Sequence, residues 1–270
     1  MKNKYNLAKF KKMILQKDTP DDSAHYGDFN PLSEVWTQSN ENLQWVTQTL
    51  NPKGKDILTC GAGDQFLMFY LAGANRVDLF DISYVANICL DIKLRAIKVM
   101  NFDEYENFII DSANDRKFDT SSALFQKILK AHPDFNADII DYIGEDRQYL
   151  NGQMSPYALD KRTYGRIKKA VSDKSFEFIL ANATKLHLFL KRKYDIIYLS
   201  NVLYACNDVH PEHVIPSLLP HLNHGGMIVS YSHFAGGLNG FELLGKKVNF
   251  EKNARDSFLY KQADPKRKKR

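Results

Sequence analysis

The spacing of apolar residues changes several times along the chain, and the changes divide it into elements. Trp36, Leu43, Val46 and Leu50 recur at helical intervals, which predicts a helix over 33–50 capped by Ser33 or Thr37. Asn51-Pro52-Lys53-Gly54 ends it. Asp56-Ile57-Leu58-Thr59-Cys60 is a short β-type run closed by Gly61-Ala62-Gly63-Asp64. A helix follows from Gln65 to about Ala72, Gly73-Ala74-Asn75 stops it, and Arg76–Asp81 reads as a second strand. Strand, glycine loop, helix and strand make a βαβ unit.

Over 84–100, Val85, Ile88, Cys89, Ile92, Ala96 and Val99 share one helical face, widened by Leu90, Leu94 and Ile97. Residues 103–175 lack strong strand signals and read as helices near 103–111, 121–131, 134–143 and 155–172. This stretch is expected to be an insertion capping the site. Strand signals return at Phe176–Leu180, Tyr194–Leu199 and Met227–Tyr231, in continuous apolar runs that suit a parallel sheet covered on both faces. A helix around 211–222 leads to a turn at His224-Gly225-Gly226, and Val248–Glu251 with Ser257–Tyr260 reads as an antiparallel hairpin closing the sheet. The expectation is an N-terminal helical segment, 1–50, and an α/β domain, 51–270, with a helical insertion at about 101–175 between strands two and three. The sheet is expected to be Rossmann-like and mostly parallel.

Composition narrows the class. The chain has 270 residues, 44% hydrophobic and 26% charged, enough to bury a proper core. No apolar run reaches the ~18 residues of a membrane span, and the basic start, Met1 to Lys17, lacks the unbroken apolar stretch of a secretory signal. Cys60, Cys89 and Cys206 are too few and scattered for a disulfide framework and suit a reducing, cytoplasmic setting. The net charge of +5 gathers in the lysines of residues 2–17 and in Lys266-Arg267-Lys268-Lys269-Arg270. Two readings stand: solvated tails, or an electrostatic hold on anionic lipid or RNA that would make the protein membrane-peripheral or RNA-associated.

Four polar features fall at strand ends, where α/β sheets bind ligands. Gly61-Ala62-Gly63-Asp64 lets a backbone pass close to a ligand. Asp81, 20 residues beyond Gly61, is placed to accept hydrogen bonds from ribose hydroxyls, with Ile82 beside it. Asn182-Ala183-Thr184 is placed to read an adenine edge, and Ser200-Asn201 faces the reactive end of a cofactor. A dinucleotide loop wants a third small residue where Phe66 stands, and the first arginine beyond Asp81 is Arg95. S-adenosylmethionine, which has no phosphates, is favoured over NAD.

These residues resemble motif I of class I S-adenosylmethionine-dependent transferases in Ile57–Asp64 and Leu71-Ala72-Gly73, and the acidic end of motif II in Asp81-Ile82. Leu90-Asp91-Ile92-Lys93-Leu94-Arg95-Ala96-Ile97, with Asn101–Tyr105, is similar to the "LELKLAAI… (Y/F)-x-E-(F/Y)" stretch of the betaine-lipid synthase-like family, the S-adenosylmethionine:diacylglycerol 3-amino-3-carboxypropyl transferases. Val35-Trp36 resembles that family's "VWED" region, and Tyr194–Val202 its "YD-I-YLSN-I" strand. The resemblance spans about 33–235 and implies transfer of a 3-amino-3-carboxypropyl group to a lipid or small-molecule acceptor.

Either aminocarboxypropyl or methyl transfer is an in-line displacement at an activated carbon, so positioning can carry most of the catalysis. A hydroxyl acceptor also needs a base, for which Tyr204, Tyr231 and His233 stand after the fourth and fifth strands. His210, His213, His221, His224 and His233 cluster in sequence without a zinc-ligand spacing, so no metal is expected. The alternatives are a methyltransferase, an NAD-dependent oxidoreductase, which Phe66 disfavours, and a non-catalytic nucleotide- or RNA-binding module.

Overall fold

The computed structural model describes residues 35–36, 41–61, 63–144, 150–151, 160–172, 174, 176–200, 202–205, 211–232, 241–247 and 257–262. In chain order the elements are β1 (Val35–Trp36), α1 (Leu43–Leu50), β2 (Asp56–Cys60), α2 (Asp64–Leu71), β3 (Arg76–Asp81) and α3 (Tyr84–Val99). The insertion follows as α4 (Phe102–Asp115), α5 (Ala123–Ala131), α6 (Asp138–Gly144), β4 (Leu150–Asn151) and α7 (Lys161–Val171). Then come β5 (Phe178–Leu180), β6 (Tyr194–Tyr198), α8 (Val202–Ala205), α9 (Pro211–Leu218), β7 (Leu222–Ser232), β8 (Phe241–Lys247) and β9 (Ser257–Gln262).

Seven strands form one sheet in the order β5-β3-β2-β6-β7-β9-β8. The first five are parallel, and β9 runs antiparallel between β7 and β8. This is the expected Rossmann-like sheet with its closing hairpin.

Alternate residues of each central strand enter different cores. Ile57, Ile196, Tyr198 and Val229 join a large cluster with α1, α2, α3 and the insertion helices. Leu58, Ile197, Leu199 and Ile228 join a smaller one with Val214, Ile215 and Leu218 of α9. Full coverage of both faces explains why these strands read as continuous apolar runs. The insertion helices share the large core, through Phe108, Phe125, Ile139 and Ile167.

Three expectations need correction. In place of one helix over 33–50, the described residues hold a helix over Leu43–Leu50, and Asn42, not Ser33 or Thr37, caps it by accepting a 3.0 Å bond from the Trp45 N–H. Val35-Trp36, a β-branched and an aromatic residue, pair instead as extended backbone with Leu150-Asn151. His224-Gly225-Gly226 is no turn before the fifth strand: it lies inside β7, opposite the register shift at Tyr194/Ile196, as a bulge with Gly225 at φ 78°. The hairpin's first strand is Phe241–Lys247; the run Val248–Glu251 lies outside the described residues.

Candidate cofactor site

β2 and β6 are neighbours, yet the chain leaves β2 toward β3 on one side and β6 toward β7 on the other. The crevice above their carboxyl ends is therefore the topological switch point, where open α/β sheets take ligands.

The glycine loop forms the crevice's first wall. Gly61 and Gly63 have φ of 104° and 108°, and a Cβ on Gly63 would lie 2.7 Å from Leu90 Cδ1 of α3. Their left-handed backbone favours glycine at both positions, and at Gly63 the packing of α3 leaves no room for a Cβ. Asp64 opens α2, and its Oδ1 accepts from Lys93 Nζ at 2.8 Å, with the lysine side chain 1% exposed. The helix N-terminus, where a dinucleotide would seat its pyrophosphate, thus already holds a carboxylate. Phe66 is fully buried against Tyr70 and Phe176, with ring centroids 4.7 and 5.7 Å away. Charge and bulk both disfavour a pyrophosphate here.

Asp81 ends β3. Its carboxylate accepts the Ser83 N–H at 2.8 Å, and the backbone N–H groups of Gly61 and Ile82 lie near enough to favour its charged form. Burial pushes its pKa up to about 6, against the pull of these backbone N–H groups. Ile82 beside it is 37% exposed, unlike the buried strand it follows. Beyond β5, Asn182 Oδ1 accepts from the Thr184 N–H at 3.1 Å and shapes the turn, while the Ala183 side chain packs in the smaller core.

The crevice also holds a carboxylate that the sequence did not reveal. Glu41 is fully buried and accepts from Gln65 Nε2 at 3.3 Å, from the Tyr198 hydroxyl at 3.0 Å and from the Ser200 hydroxyl. It thereby bridges the β2 side of the crevice to the β6 side. Burial and the Glu41 charge raise the Tyr198 phenol well above its ordinary range, so it stays a donor. Ser200 adopts φ 52°, and its carbonyl accepts from the Tyr231 N–H at 2.7 Å and the Ser230 hydroxyl at 3.0 Å. A non-glycine residue in left-handed backbone, held on several sides, is a mark of a functional crevice.

Among the proposed catalytic residues, Tyr231 is 1% exposed in the large core and accepts the Asn42 N–H at 3.4 Å, an anchor for the segment carrying Glu41. Tyr204 lies on α8, and its side chain, like Ala62, Asn201 and His233, falls outside the described residues. Cys60 is buried, its thiol raised well above the ordinary range by burial and then by Asp81 and Glu41, and it donates to Leu199 O. That environment keeps it protonated and unreactive.

The strand order and this crevice are those of a known architecture. The fold is the Rossmann-like one that the resemblance to class I S-adenosylmethionine-dependent transferases implies. Similar solved structures include the rRNA methyltransferase aviRa from Streptomyces viridochromogenes, 10% identical over 86% of this chain and 89% of that one, with a TM-score of 0.47. Magnesium protoporphyrin IX methyltransferase from Synechocystis PCC 6803 is 12% identical over 82% and 76%, at 0.38. An rRNA methylase from Streptococcus thermophilus is 9% identical over 83% and 95%, at 0.36. No protein-family model matches the chain, and no curated protein matches it. No helix among the described residues is long and apolar enough to cross a membrane.

Proposed function

We propose that the chain is an S-adenosylmethionine-dependent transferase. The observation that carries this reading is Asp81: a carboxylate at the end of β3, bonded to the Ser83 N–H, close to the Gly61 N–H of the glycine loop and flanked by the exposed Ile82. Ribose hydroxyls suit the carboxylate as donors, and the apolar face of adenine suits Ile82. Asn182, at the next strand end, suits the adenine edge. The left-handed Gly61 and Gly63 let the loop turn tightly against α2 and α3 at the strand end, and Asp64 with Phe66 argues against a phosphate-bearing cofactor. Glu41 adds negative charge in the crevice, which complements a cationic cofactor end.

S-adenosylmethionine, when bound, supplies a carbon already activated by the sulfonium. The chain's own work is then to orient and to exclude water. Ser200, fixed by Glu41 and by β7, sets the crevice wall at the β6 end, next to Asn201. For a hydroxyl acceptor, Tyr204 and His233 are the residues we propose as proton acceptors; Tyr231, buried and bonded to the N-terminal segment, we assign to positioning.

The sequence resemblance supports 3-amino-3-carboxypropyl transfer to a lipid or small-molecule acceptor, and the few scattered cysteines support a cytoplasmic setting. The fold supports methyl transfer as the second reading. Calorimetric titration with S-adenosylmethionine, S-adenosylhomocysteine and methylthioadenosine tests the cofactor, and failure of all three to bind would overturn it. Mass analysis after incubation with cell extract separates the reactions. Methylthioadenosine is the product of aminocarboxypropyl transfer, and S-adenosylhomocysteine that of methyl transfer.

A further inference from the structure

Helix α7 divides sharply into two faces. Tyr164, Ile167 and Val171 are buried in the large core, and Tyr164 and Lys168 donate to the Met100 carbonyl at 3.0 and 2.8 Å. The other face carries Lys161, Arg162, Arg166 and Lys169, all exposed, and none of the four forms an ion pair among the described residues. There is no acid between Lys161 and Ser172. The preceding carboxylate, Asp160, is committed to capping the helix through the Thr163 N–H at 2.6 Å, with Arg162 nearby.

At about 100° per residue the four cations fall within an arc of about 140°, and Gly165 lies near its middle. A glycine inside a helix costs about 1 kcal/mol relative to alanine. Among the described residues nothing lies within 4 Å of where its Cβ would stand, so no contact among them requires this glycine. The result is a shallow gap that exposes helix backbone within an arc of cations that form no ion pair among the described residues.

We infer that this face of α7 binds a nucleic-acid strand through its phosphodiester backbone. Lys161 and Lys169 are separated by about 12 Å along the axis, over which a stacked strand sets three or four phosphates at about 3.4 Å each. The gap at Gly165 lets such a strand lie against the helix while Arg162 and Arg166 reach phosphates to the side. A bilayer fits this face less well. Interfacial helices insert apolar side chains, whereas those of α7 are spent in the core, and a flat headgroup layer reached by long lysine and arginine arms gains nothing from a central gap.

The test uses the full chain and a labelled single-stranded RNA, with binding followed by fluorescence anisotropy across a salt series. The variant Lys161→Gln/Arg162→Gln/Arg166→Gln/Lys169→Gln keeps both basic ends of the chain, so it isolates the helix. Its slope of log affinity against log salt should be shallower by about 2–3, at about 0.7 for each lost contact, with at least a tenfold loss of affinity at low salt. Gly165→Gln should raise the melting temperature and weaken RNA binding together, which a merely solvated helix would not do. An unchanged salt slope, or loss confined to phosphatidylserine vesicles with RNA retention intact, overturns the inference. Affinity for S-adenosylmethionine should be the same in every variant, so this inference and the cofactor reading fail separately.

Discussion

Glu41 and Ser200, 159 positions apart in the chain, share a hydrogen bond across the crevice between β2 and β6. The bond joins the segment before α1 to the left-handed residue that follows β6. Removing the carboxylate by Glu41→Ala leaves the buried Tyr198 hydroxyl without this acceptor, and should cost about 2–4 kcal/mol in urea unfolding. Glu41→Gln keeps the shape and removes the charge. It should cost less stability, weaken S-adenosylmethionine and leave methylthioadenosine, which lacks the charged end, unaffected. Equal weakening of both ligands would reduce Glu41 to a structural residue.

Asp81 gives a pH dependence of fixed sign. Its pKa in the folded protein is raised to about 6, so above that pH it is ionised and accepts ribose hydroxyls best. Nucleoside affinity should therefore rise as pH increases through about 6 and then level off. The folded protein keeps this proton to higher pH than the unfolded chain does. Its contribution to stability accordingly falls between about pH 4 and 6 and is flat above. Asp81→Asn should abolish both trends and weaken methylthioadenosine at least tenfold, about what a hydrogen bond to a charged group is worth, without unfolding the protein. Calorimetry and thermal melts across pH read both.

Gly63→Ala asks the loop to carry a Cβ at φ 108°, 2.7 Å from Leu90 Cδ1 and 3.1 Å from Leu90 Cβ. A loss of about 1–3 kcal/mol is expected from strain and overpacking, with weakened cofactor binding. Leu90→Ala in the same chain should recover part of the cofactor affinity, since it removes the clash and leaves the backbone strain. Full recovery would mean that crowding alone requires the glycine.

Lys93 and Asp64 form a pair that breaks unequally. Lys93→Met takes the ammonium from a partly exposed carboxylate beside the glycine loop and should destabilise the fold by about 1–3 kcal/mol. Asp64→Asn with Lys93→Met should lie closer to the parent than Lys93→Met alone. Additive losses in chemical denaturation would show that the two side chains do not depend on one another.

The sheet was legible because its strands are buried on both faces: Ile57-Leu58, Ile196-Ile197 and Ile228-Val229 sit side by side in sequence and in opposite cores. The glycine loop, Asp81 and Ile82 were legible because strand, turn and helix follow one another within the βαβ unit. Glu41 was not. With the cap placed at Ser33 or Thr37, it fell in mid-helix like any solvated acid. The capping Asn42 and the extended Val35-Trp36 were the local signals that would have moved the helix start. Its partners, Gln65, Tyr198 and Ser200, come from distant elements, and no periodicity reports a contact of that kind. Lys93 was hidden in the same way, a lysine within an amphipathic helix that turns out to be 1% exposed.

The position of β9 between β7 and β8 has a consequence for how the protein is made. As the chain leaves the ribosome, Phe241–Lys247 emerges ahead of the strand it pairs with in this sheet, and β7 waits with it for Ser257–Gln262. Until that segment is released, β7 presents a row of unsatisfied amide and carbonyl groups, the kind of edge that recruits stray strands. A chain stalled or cleaved within β9 therefore exposes two such edges at once. Its fate is more in the hands of chaperones and proteases than that of a chain damaged at its helices.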